Sequence, residues 1–239
     1  MQIAIIGYGK MGKTVEKIAI ERGHQIAWIA NDQKQLEEIL SKPHEAAVAI
    51  EFTLPAFAPD NITICLEAHL PVVSGTTGWN DQWESIKQKC AELNGSLLHA
   101  SNFSLGMNIF FHINKILAAK LNNTSAYKPS MKETHHIHKK DHPSGTAITL
   151  AEQIIEHSDL ITTWKETREE VENDVLQIES FREGEIPGTH EINWTADFDE
   201  ITLVHTAKNR NGFALGAVLA AEFIAGRKGV FTMSDVLNL

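Results

Sequence analysis

Residues 2–12 read Gln-Ile-Ala-Ile-Ile-Gly-Tyr-Gly-Lys-Met-Gly, a short apolar run followed by glycines spaced as Gly-x-Gly-x-x-Gly. The apolar run predicts a buried β-strand, and the periodic pattern through about Arg22 predicts an α-helix. Gly7 permits a tight turn, Gly9 a close approach to the backbone, and Gly12 close packing of helix and strand. This order predicts a loop that binds the phosphates of a dinucleotide at a helix N-terminus. The alternative is a glycine-rich turn in another kind of α/β protein.

The same alternation of strand and helix continues through the first part of the chain. Further strands are predicted at residues 25–30, 45–52, 71–74 and 96–99, with helical patterns between them at residues 34–40, 58–69 and 81–93. Strands that alternate with helices of this length indicate βαβ units and a parallel sheet. The sequence therefore predicts an α/β fold, with an N-terminal Rossmann-like dinucleotide-binding domain over residues 1–106.

The regular alternation of strands and helices ends after about Gly106. A long helix is predicted at residues 107–121, and a strand-like run, a histidine-rich loop and a helix at residues 146–157 follow it. Alternating segments then occur at residues 175–181, 190–195 and 201–207, which indicates an α+β domain with antiparallel strands. We expect this second domain to span residues 107–210. An apolar helix at residues 212–225 is predicted to return to the first domain, so that residues 211–239 complete it.

The charge balance limits the possible partners. The formal net charge is −10 and the isoelectric point is near 5.6, which argues against nucleic acid and anionic membranes. The chain has no run of 18 apolar residues and no signal-peptide pattern at its start, so we expect a cytoplasmic protein. Cys65 and Cys90 form no metal-ligand pattern and are expected to be buried structural residues.

Further candidate cofactor contacts follow the later predicted strands. The segments Gly75-Thr76-Thr77-Gly78 and Ala100-Ser101-Asn102-Phe103-Ser104 come after the fourth and fifth strands, where parallel sheets bind ligands. Small and hydroxyl residues suit contact with ribose and nicotinamide, although ordinary turns are the alternative. The candidate cofactor-binding residues are Gly7, Tyr8, Gly9, Lys10, Met11, Gly12, Asn31, Asp32, Gly75, Thr76, Thr77, Ala100, Ser101, Asn102 and Phe103.

The choice of cofactor depends on the end of the second strand. Asp32 lies about 20 residues beyond the last glycine of the loop, where a carboxylate accepts hydrogen bonds from the ribose 2′-hydroxyl of NAD. No arginine is present there to bind a 2′-phosphate, although Lys34 is close. We expect NADH to be slightly favoured over NADPH, with some use of both.

The histidine-rich segment from Glu133 to Ala147 carries the candidate chemistry. Four of the chain's 12 histidines fall between residues 135 and 142, and Lys139, Lys140 and the preceding Lys132 make the stretch locally basic. Histidine and lysine can exchange protons with a dicarboxylate, and the N–H groups of Ser144, Gly145 and Thr146 open a predicted helix that suits an anion. Metal binding and an exposed polar loop are the alternatives. Adjacent lysines disfavour a cation, so no metal is expected.

This segment resembles the dihydrodipicolinate reductase family, also called 4-hydroxy-tetrahydrodipicolinate reductase. The family pattern Glu-x-His-His-x-x-Lys-x-Asp-x-Pro-Ser-Gly-Thr-Ala is matched at every fixed position of residues 133–147. Further family motifs occur in order, among them Gly-Thr-Thr-Gly at residues 75–78 and Arg-Glu-Gly-Glu-Ile-Pro-Gly-Thr-His at residues 182–190. The resemblance covers essentially the whole chain. It implies a mixed sheet in the C-terminal domain and a homotetramer assembled through that sheet.

The resemblance also implies an activity and roles for residues. The reaction is NAD(P)H-dependent reduction of 4-hydroxy-tetrahydrodipicolinate in lysine and diaminopimelate biosynthesis. His135 resembles the proton donor or acceptor, and Lys139 the second acid. His136 and the amides of Gly145 and Thr146 resemble contacts to a substrate carboxylate. The alternatives are another Rossmann-type imine or amino-acid dehydrogenase, a non-catalytic dinucleotide-binding sensor, and a metal enzyme.

Overall fold

The computed structural model describes residues 1–122, 124 and 126–239. The chain divides into two compact units. The first contains residues 1–105 together with residues 210–239, and the second contains residues 106–209.

The first unit is built on a six-stranded parallel sheet with the order β11-β5-β4-β3-β1-β2. The strands are β1 Gln2–Ile6, β2 Gln25–Ala30, β3 Val48–Glu51, β4 Val72–Ser74, β5 Ser96–His99 and β11 Gly229–Phe231. The helices are α1 Lys10–Glu21, α2 Gln33–Leu40, α3 Ala58–Glu67, α4 Trp83–Glu92, α7 Asn211–Ile224 and α8 Met233–Leu237, with a 3₁₀ turn at Asn80–Gln82. The predicted Rossmann-like fold is confirmed, whereas β11 and α8 were not predicted.

Both faces of this sheet are buried, as expected for parallel strands. Successive residues of β1 point to opposite faces. Ile3 and Ile5 pack in one apolar core with α1 and α7, while Ala4 and Ile6 pack in a second core with α2, α3 and α4. This arrangement explains why the strands of the first unit read as continuous apolar runs rather than as alternating patterns.

Helix α7 packs closely because several of its buried positions are small. Gly216 lies against the loop that follows β5, and a Cβ on it would be 1.7 Å from the carbonyl oxygen of Phe103. Ala217 and Ala220 are fully buried in the same core. Chain segments that are more than 100 residues apart in sequence are thereby joined in one unit.

The second unit holds a five-stranded mixed sheet with the order β10-β9-β6-β8-β7. Its strands are β6 Lys128–His135, β7 Thr163–Glu166, β8 Val175–Arg182, β9 Thr189–Thr195 and β10 Glu200–Thr206, and its helices are α5 Leu105–Asn122 and α6 Gly145–Glu156. β6 pairs antiparallel with β9 but parallel with β8, and β7 is parallel to β8. The expectation of antiparallel strands alone was therefore wrong, while the mixed sheet that the resemblance implied is confirmed.

The sheet of the second unit has one apolar face. Met131, Ile178, Ile192 and Trp194 are buried with α5 and α6, and the residues between them point to the opposite face. The histidine-rich segment was predicted to be a loop, but its first three residues, Glu133 to His135, belong to β6. Alternation along a strand therefore places Glu133 and His135 on the same, buried face.

No helix in the described part of the chain is long and apolar enough to cross a membrane.

Two glycines of α7 give a matched test of this packing. Gly216→Ala should lower the free energy of unfolding by about 2 kcal/mol or more, because the new methyl group overlaps the backbone at Phe103. Gly212→Ala lies in the same helix, and no described atom lies within 4 Å of its Cβ position, so it should be neutral or stabilise by about 0.5 kcal/mol. Urea unfolding of both variants measures the difference, and equal midpoints would contradict the packing of α7.

Candidate active site

Glycine 7 and glycine 12 form the turn between β1 and α1. Gly7 has a φ of +88°, and a Cβ there would lie 2.1 Å from the carbonyl oxygen of Phe52. A Cβ on Gly12 would lie 2.2 Å from the carbonyl oxygen of Gly7. Both positions therefore require glycine for steric reasons within the protein itself.

Glycine 9 is different, because the space around it is open. No described atom lies within 4 Å of the place that its Cβ would occupy. Gly9 is the N-cap residue of α1, no side chain in the described part of the chain caps this helix, and its first turn contains no acidic residue. The free N–H groups and the helix dipole thus meet open space, which fits the pyrophosphate of a dinucleotide. A side chain at position 9 would fill this cradle.

One pocket of about 360 Å³ joins several of the predicted cofactor residues. Its lining comes from three strand ends, and it consists of Gly9, Lys10, Met11, Phe52, Thr53, Pro55, Gly75, Thr76 and Thr77. The pocket lies beside the end of β1. The next strand in the chain, β2, is on one side of β1 and the following strand, β3, is on the other, so the order of the strands reverses at this point. Ligands of open α/β sheets bind at this kind of position. Phe52 and Thr53 directly follow β3, at a strand end of the same kind as the predicted cofactor segments.

Phe52 explains why the second loop also contains a glycine. A Cβ on Gly75 would lie 2.1 Å from the ring of Phe52, and the Phe52 ring contacts that of Phe103 edge-on at 6.0 Å. Phe103 is itself buried in the core. Among the described residues that line the pocket, none comes from the predicted cofactor segment Ala100 to Phe103.

The two residues at the end of β2 have local structural roles. Oδ1 of Asp32 accepts a hydrogen bond from the N–H of Gln35 at 2.8 Å, so Asp32 is the N-cap of α2. The N–H of Asn31 donates to the side chain of Gln35. Within the glycine loop, the hydroxyl of Tyr8 bonds Glu16. None of these bonds uses the second carboxylate oxygen of Asp32.

Glu133 is the centre of the candidate site in the second unit. Its side chain is fully buried, and Oε1 accepts hydrogen bonds from the N–H of Ser144 at 3.0 Å and from Arg182 at 3.1 Å. Oε2 lies 3.1 Å from Nδ1 of His135, although the two atoms are not aligned for a regular hydrogen bond. Burial acts to raise the pKa of Glu133, but the contacts with His135 and Ser144 outweigh it and hold that pKa well below its usual range.

Arg182 connects this carboxylate to the segment that carries Lys139. Its guanidinium donates to the carbonyl oxygens of Lys139 at 3.3 Å and Asp141 at 2.5 Å, as well as to Glu133. Arg182 is the last residue of β8, directly opposite His135 in the parallel pair with β6. The strand pairing thus brings Arg182 to the site, and no spacing within the histidine-rich segment could have indicated it.

His190 completes the buried cluster. It faces Glu133 across the antiparallel pair of β6 and β9, and its ring contacts that of His135 edge-on at 5.1 Å. Its Nε2 lies 3.3 Å from the hydroxyl of Ser144. Burial, reinforced by the neighbouring His135, lowers the pKa of His190 to about 3. His190 is therefore neutral at neutral pH.

The candidate substrate contacts at the start of α6 differ in whether their N–H groups are already bonded within the protein. Ser144 is buried, its hydroxyl caps the N–H of Ala147, and its own N–H is bonded to Glu133. The N–H groups of Gly145 and Thr146 have no acceptor among the described residues, and the Cβ position of Gly145 is open. Gly145 and Thr146 thus offer an anion site, whereas Ser144 holds the helix in place.

Lys139 and His136 lie on the turn that follows β6. The ammonium of Lys139 is 2.8 Å from Oδ2 of Asp141, and it is partly exposed. Burial acts to raise the pKa of Asp141, but the hydrogen bond and charge of Lys139 outweigh it and lower that pKa. The N–H of Lys139 donates to the carbonyl oxygen of His136 at 3.1 Å, which closes the turn. The predicted catalytic residues His135 and Lys139 are thus connected through Glu133 and Arg182.

Three of these side chains also have the composition of a metal site. Ligand atoms of Glu133, His135 and His190 lie within 4.8 Å of one another. Carboxylate and imidazole are common zinc ligands. The guanidinium of Arg182 already occupies one oxygen of Glu133, and its positive charge opposes a second cation. The cluster is better suited to orienting His135 than to binding a metal.

Comparisons with known proteins agree over the whole chain. Residues 1–103 match the family model described as dihydrodipicolinate reductase, N-terminus, and residues 106–237 match that described as dihydrodipicolinate reductase, C-terminus. A 4-hydroxy-tetrahydrodipicolinate reductase of Christiangramia forsetii is 43% identical over 238 residues, covering 100% of this chain and 98% of the relative. One from Alkaliphilus oremlandii is 34% identical over 247 residues, covering 100% and 99%.

A solved structure supports the fold. Dihydrodipicolinate reductase from Paenisporosarcina sp. TG-14, with dipicolinate bound, superimposes with a TM-score of 0.79 at 20% identity and covers 97% of both chains.

The neutral His190 predicts a specific acid sensitivity. An unfolded histidine gains its proton as the pH falls below about 6.5, whereas the folded His190 does not until about pH 3. The folded state therefore loses stability between these values, by up to about 1 kcal/mol per pH unit. Urea unfolding of His190→Gln between pH 6.5 and 5 should show a shallower decline than that of the unmodified protein.

The control for this measurement is His138→Gln, because the side chain of His138 is 69% exposed. That variant should keep the original slope. A slope in His190→Gln that matches the unmodified protein would show that His190 takes up its proton normally in the folded state.

Proposed function

Because this chain belongs to the dihydrodipicolinate reductase family, it is an oxidoreductase, and we propose that it reduces 4-hydroxy-tetrahydrodipicolinate to tetrahydrodipicolinate with a reduced nicotinamide cofactor. This reaction belongs to lysine and diaminopimelate biosynthesis. The observation that carries the assignment of residues is the buried Glu133 carboxylate, which contacts His135 and holds the open N-terminus of α6. The proposed proton donor and the anion site are thereby held by the same carboxylate, that of Glu133.

The cofactor is assigned to the first unit. The open Cβ position of Gly9 and the uncapped start of α1 fit its pyrophosphate, and the pocket along Thr53 and Gly75 to Thr77 fits its nicotinamide half. When bound, it supplies the hydride that is added at ring carbon 4 of the substrate. Asp32 is assigned to the adenosine ribose, where its negative charge favours the 2′-hydroxyl of NADH over the 2′-phosphate of NADPH.

The substrate carboxylates are assigned to the second unit. The N–H groups of Gly145 and Thr146 bind one carboxylate at the start of α6, with the support of the helix dipole. Lys139 and His136 on the neighbouring turn supply positive charge and a hydrogen-bond donor. Binding the ring through its carboxylates in this way fixes its orientation, which contributes several kcal/mol to the rate in well-aligned reactions.

His135 is assigned to proton delivery. Its Nδ1 faces the carboxylate of Glu133, so Nε2 is the atom that remains for the substrate. Residue 188 is a glycine, and a Cβ there would lie 2.9 Å from Nε2, so no side chain at that position covers this atom. Loss of the 4-hydroxyl as water conjugates the ring, and hydride addition at carbon 4 then leaves an enamine. Its adjacent carbon takes a proton from His135 or from Lys139 through it.

We also assign a homotetramer assembled through the second sheet. One face of that sheet is covered by α5 and α6, while the opposite face carries residues such as Ser130, Thr202 and Val204. A sheet covered on one side only is suited to pairing with another subunit. Sedimentation of the full chain at several concentrations would distinguish a tetramer from smaller species.

A coupled assay tests the proposed reaction. The preceding synthase generates the substrate from pyruvate and aspartate semialdehyde, and the loss of absorbance of NADH and of NADPH is followed in parallel. We expect oxidation that requires the synthase product, and faster oxidation of NADH. Binding of NADH without any oxidation would disprove the proposed substrate but leave the assignment of the cofactor intact.

Replacement of His135 tests its assigned role. His135→Gln should lower kcat by about 100-fold or more with little change in KM, because a general acid acts mainly in the transition state. His112→Gln is the matched control, since His112 lies on α5 outside the cluster. Turnover of His135→Gln equal to that of the control would remove His135 from the mechanism.

A further inference from the structure

Glu51 is a buried acid that the proposed mechanism does not use. It is the last residue of β3, and its side chain is completely buried. Oε1 accepts hydrogen bonds from the N–H of Thr53 at 2.8 Å and from the hydroxyls of Thr53 and Thr76 at 2.5 and 2.7 Å. Oε2 accepts from the hydroxyl of Ser74 at 2.6 Å. Both oxygens are therefore satisfied from within the first unit.

The donors that surround Glu51 are all neutral. Within the described part of the chain, no lysine, arginine or histidine nitrogen lies within 4.0 Å of its carboxylate. A buried carboxylate without a cation is costly unless several hydrogen bonds compensate it. A strand that needed only stability would be better served by an apolar residue at this position. The presence of an acid here points to a task in the pocket above it.

The groups that Glu51 binds are parts of the cofactor pocket. Thr53 follows β3 and Thr76 follows β4, and both line the pocket, whereas Glu51 and Ser74 do not. The hydroxyl of Thr76 also accepts a hydrogen bond from the N–H of Thr53 at 2.8 Å. The loops after β3 and β4 are therefore connected twice, once through the carboxylate of Glu51 and once through this direct bond. From the other side, Nε1 of Trp79 donates to the carbonyl oxygen of Thr76 at 2.6 Å. The conformation of Thr76 is thus fixed at its side chain and at its backbone.

We propose that Glu51 is a positioning residue for the nicotinamide half of the cofactor site: its buried carboxylate fixes the loops after β3 and β4 in the conformation that binds this half. The inference rests on the proposed function, because it requires a nicotinamide dinucleotide in this pocket. The adenosine half lies towards β2 and the pyrophosphate at α1. Glu51 has no hydrogen bond to either of those elements among the contacts described for it.

The test compares the binding of NADH with that of ADP-ribose, which lacks the nicotinamide. Glu51→Ala leaves three hydroxyls without their acceptor and leaves the Thr53 N–H with only the hydroxyl of Thr76. It should weaken NADH binding by about tenfold or more. ADP-ribose binding should change by less than about twofold, because its contacts are at α1 and β2. Calorimetric titration gives both dissociation constants without any turnover.

Ser74→Ala is a second and milder variant, which keeps the inference testable if Glu51→Ala does not fold. Ser74 is fully buried and cannot touch the cofactor, so it acts only through Oε2 of Glu51. We expect a smaller selective loss of NADH affinity, of about threefold. The matched control is Ser96→Ala, a buried serine on β5 whose hydroxyl donates to the carbonyl oxygen of Ile224 instead. This control should leave both affinities unchanged.

Glu51→Gln is the conservative replacement. Its amide oxygen can take the three bonds of Oε1, and its NH₂ group can donate to the oxygen of Ser74. NADH affinity in this variant should lie between those of the unmodified protein and Glu51→Ala.

Two results would overturn the inference. One is NADH binding by Glu51→Ala or Ser74→Ala that is as tight as in the unmodified protein. The other is an equal loss of NADH and ADP-ribose affinity, which indicates a general loss of structure that thermal unfolding would also show. An unmodified protein that binds no NADH would instead overturn the proposed function together with this inference.

Discussion

A buried carboxylate must be surrounded by hydrogen-bond donors, because its desolvation costs far more than the chain's net stability can absorb. Both candidate sites of this protein are built around such a group. Glu133 lies at the centre of the second unit and collects Ser144, His135 and Arg182, which come from different elements. Ser144 lies at the start of the helix that offers the anion site, His135 is the proposed proton donor, and Arg182 bonds the segment that carries Lys139. The position of the Glu133 side chain therefore determines how these groups are arranged.

The two units satisfy their carboxylates by different means, and the difference matches their tasks. Glu51 is compensated by neutral hydroxyls and one N–H, which leaves its surroundings without positive charge. Glu133 is paired with a guanidinium and an imidazole, and its pKa is held well below the usual range, so it stays ionised. The first arrangement suits a rigid wall for a cofactor, and the second suits the orientation of a proton donor.

Much of the fold was predictable because its signals are local. The glycine spacing, the apolar runs and the helical periods of residues 1–106 predict five of the six strands and most of the helices of the first unit. The direction of β8 relative to β6 was not predictable from periodicity, since parallel and antiparallel partners have the same alternation. The role of Arg182 was missed for the same reason, because it reaches Glu133 only through that parallel pairing. Glu133 could have been placed on the His135 face once the segment was assigned to a strand.

Residue 52 restricts two glycine positions at once. Its carbonyl oxygen fills the space beside Gly7, and its ring fills the space beside Gly75. Gly75 cannot be enlarged while the phenylalanine ring remains, and a smaller residue at position 52 would leave a cavity beside Phe103. Gly7 is restricted by the backbone at position 52, whichever side chain is present there. An attempt to reshape this pocket for a different cofactor would therefore have to change residues 52 and 75 together and keep glycine at position 7.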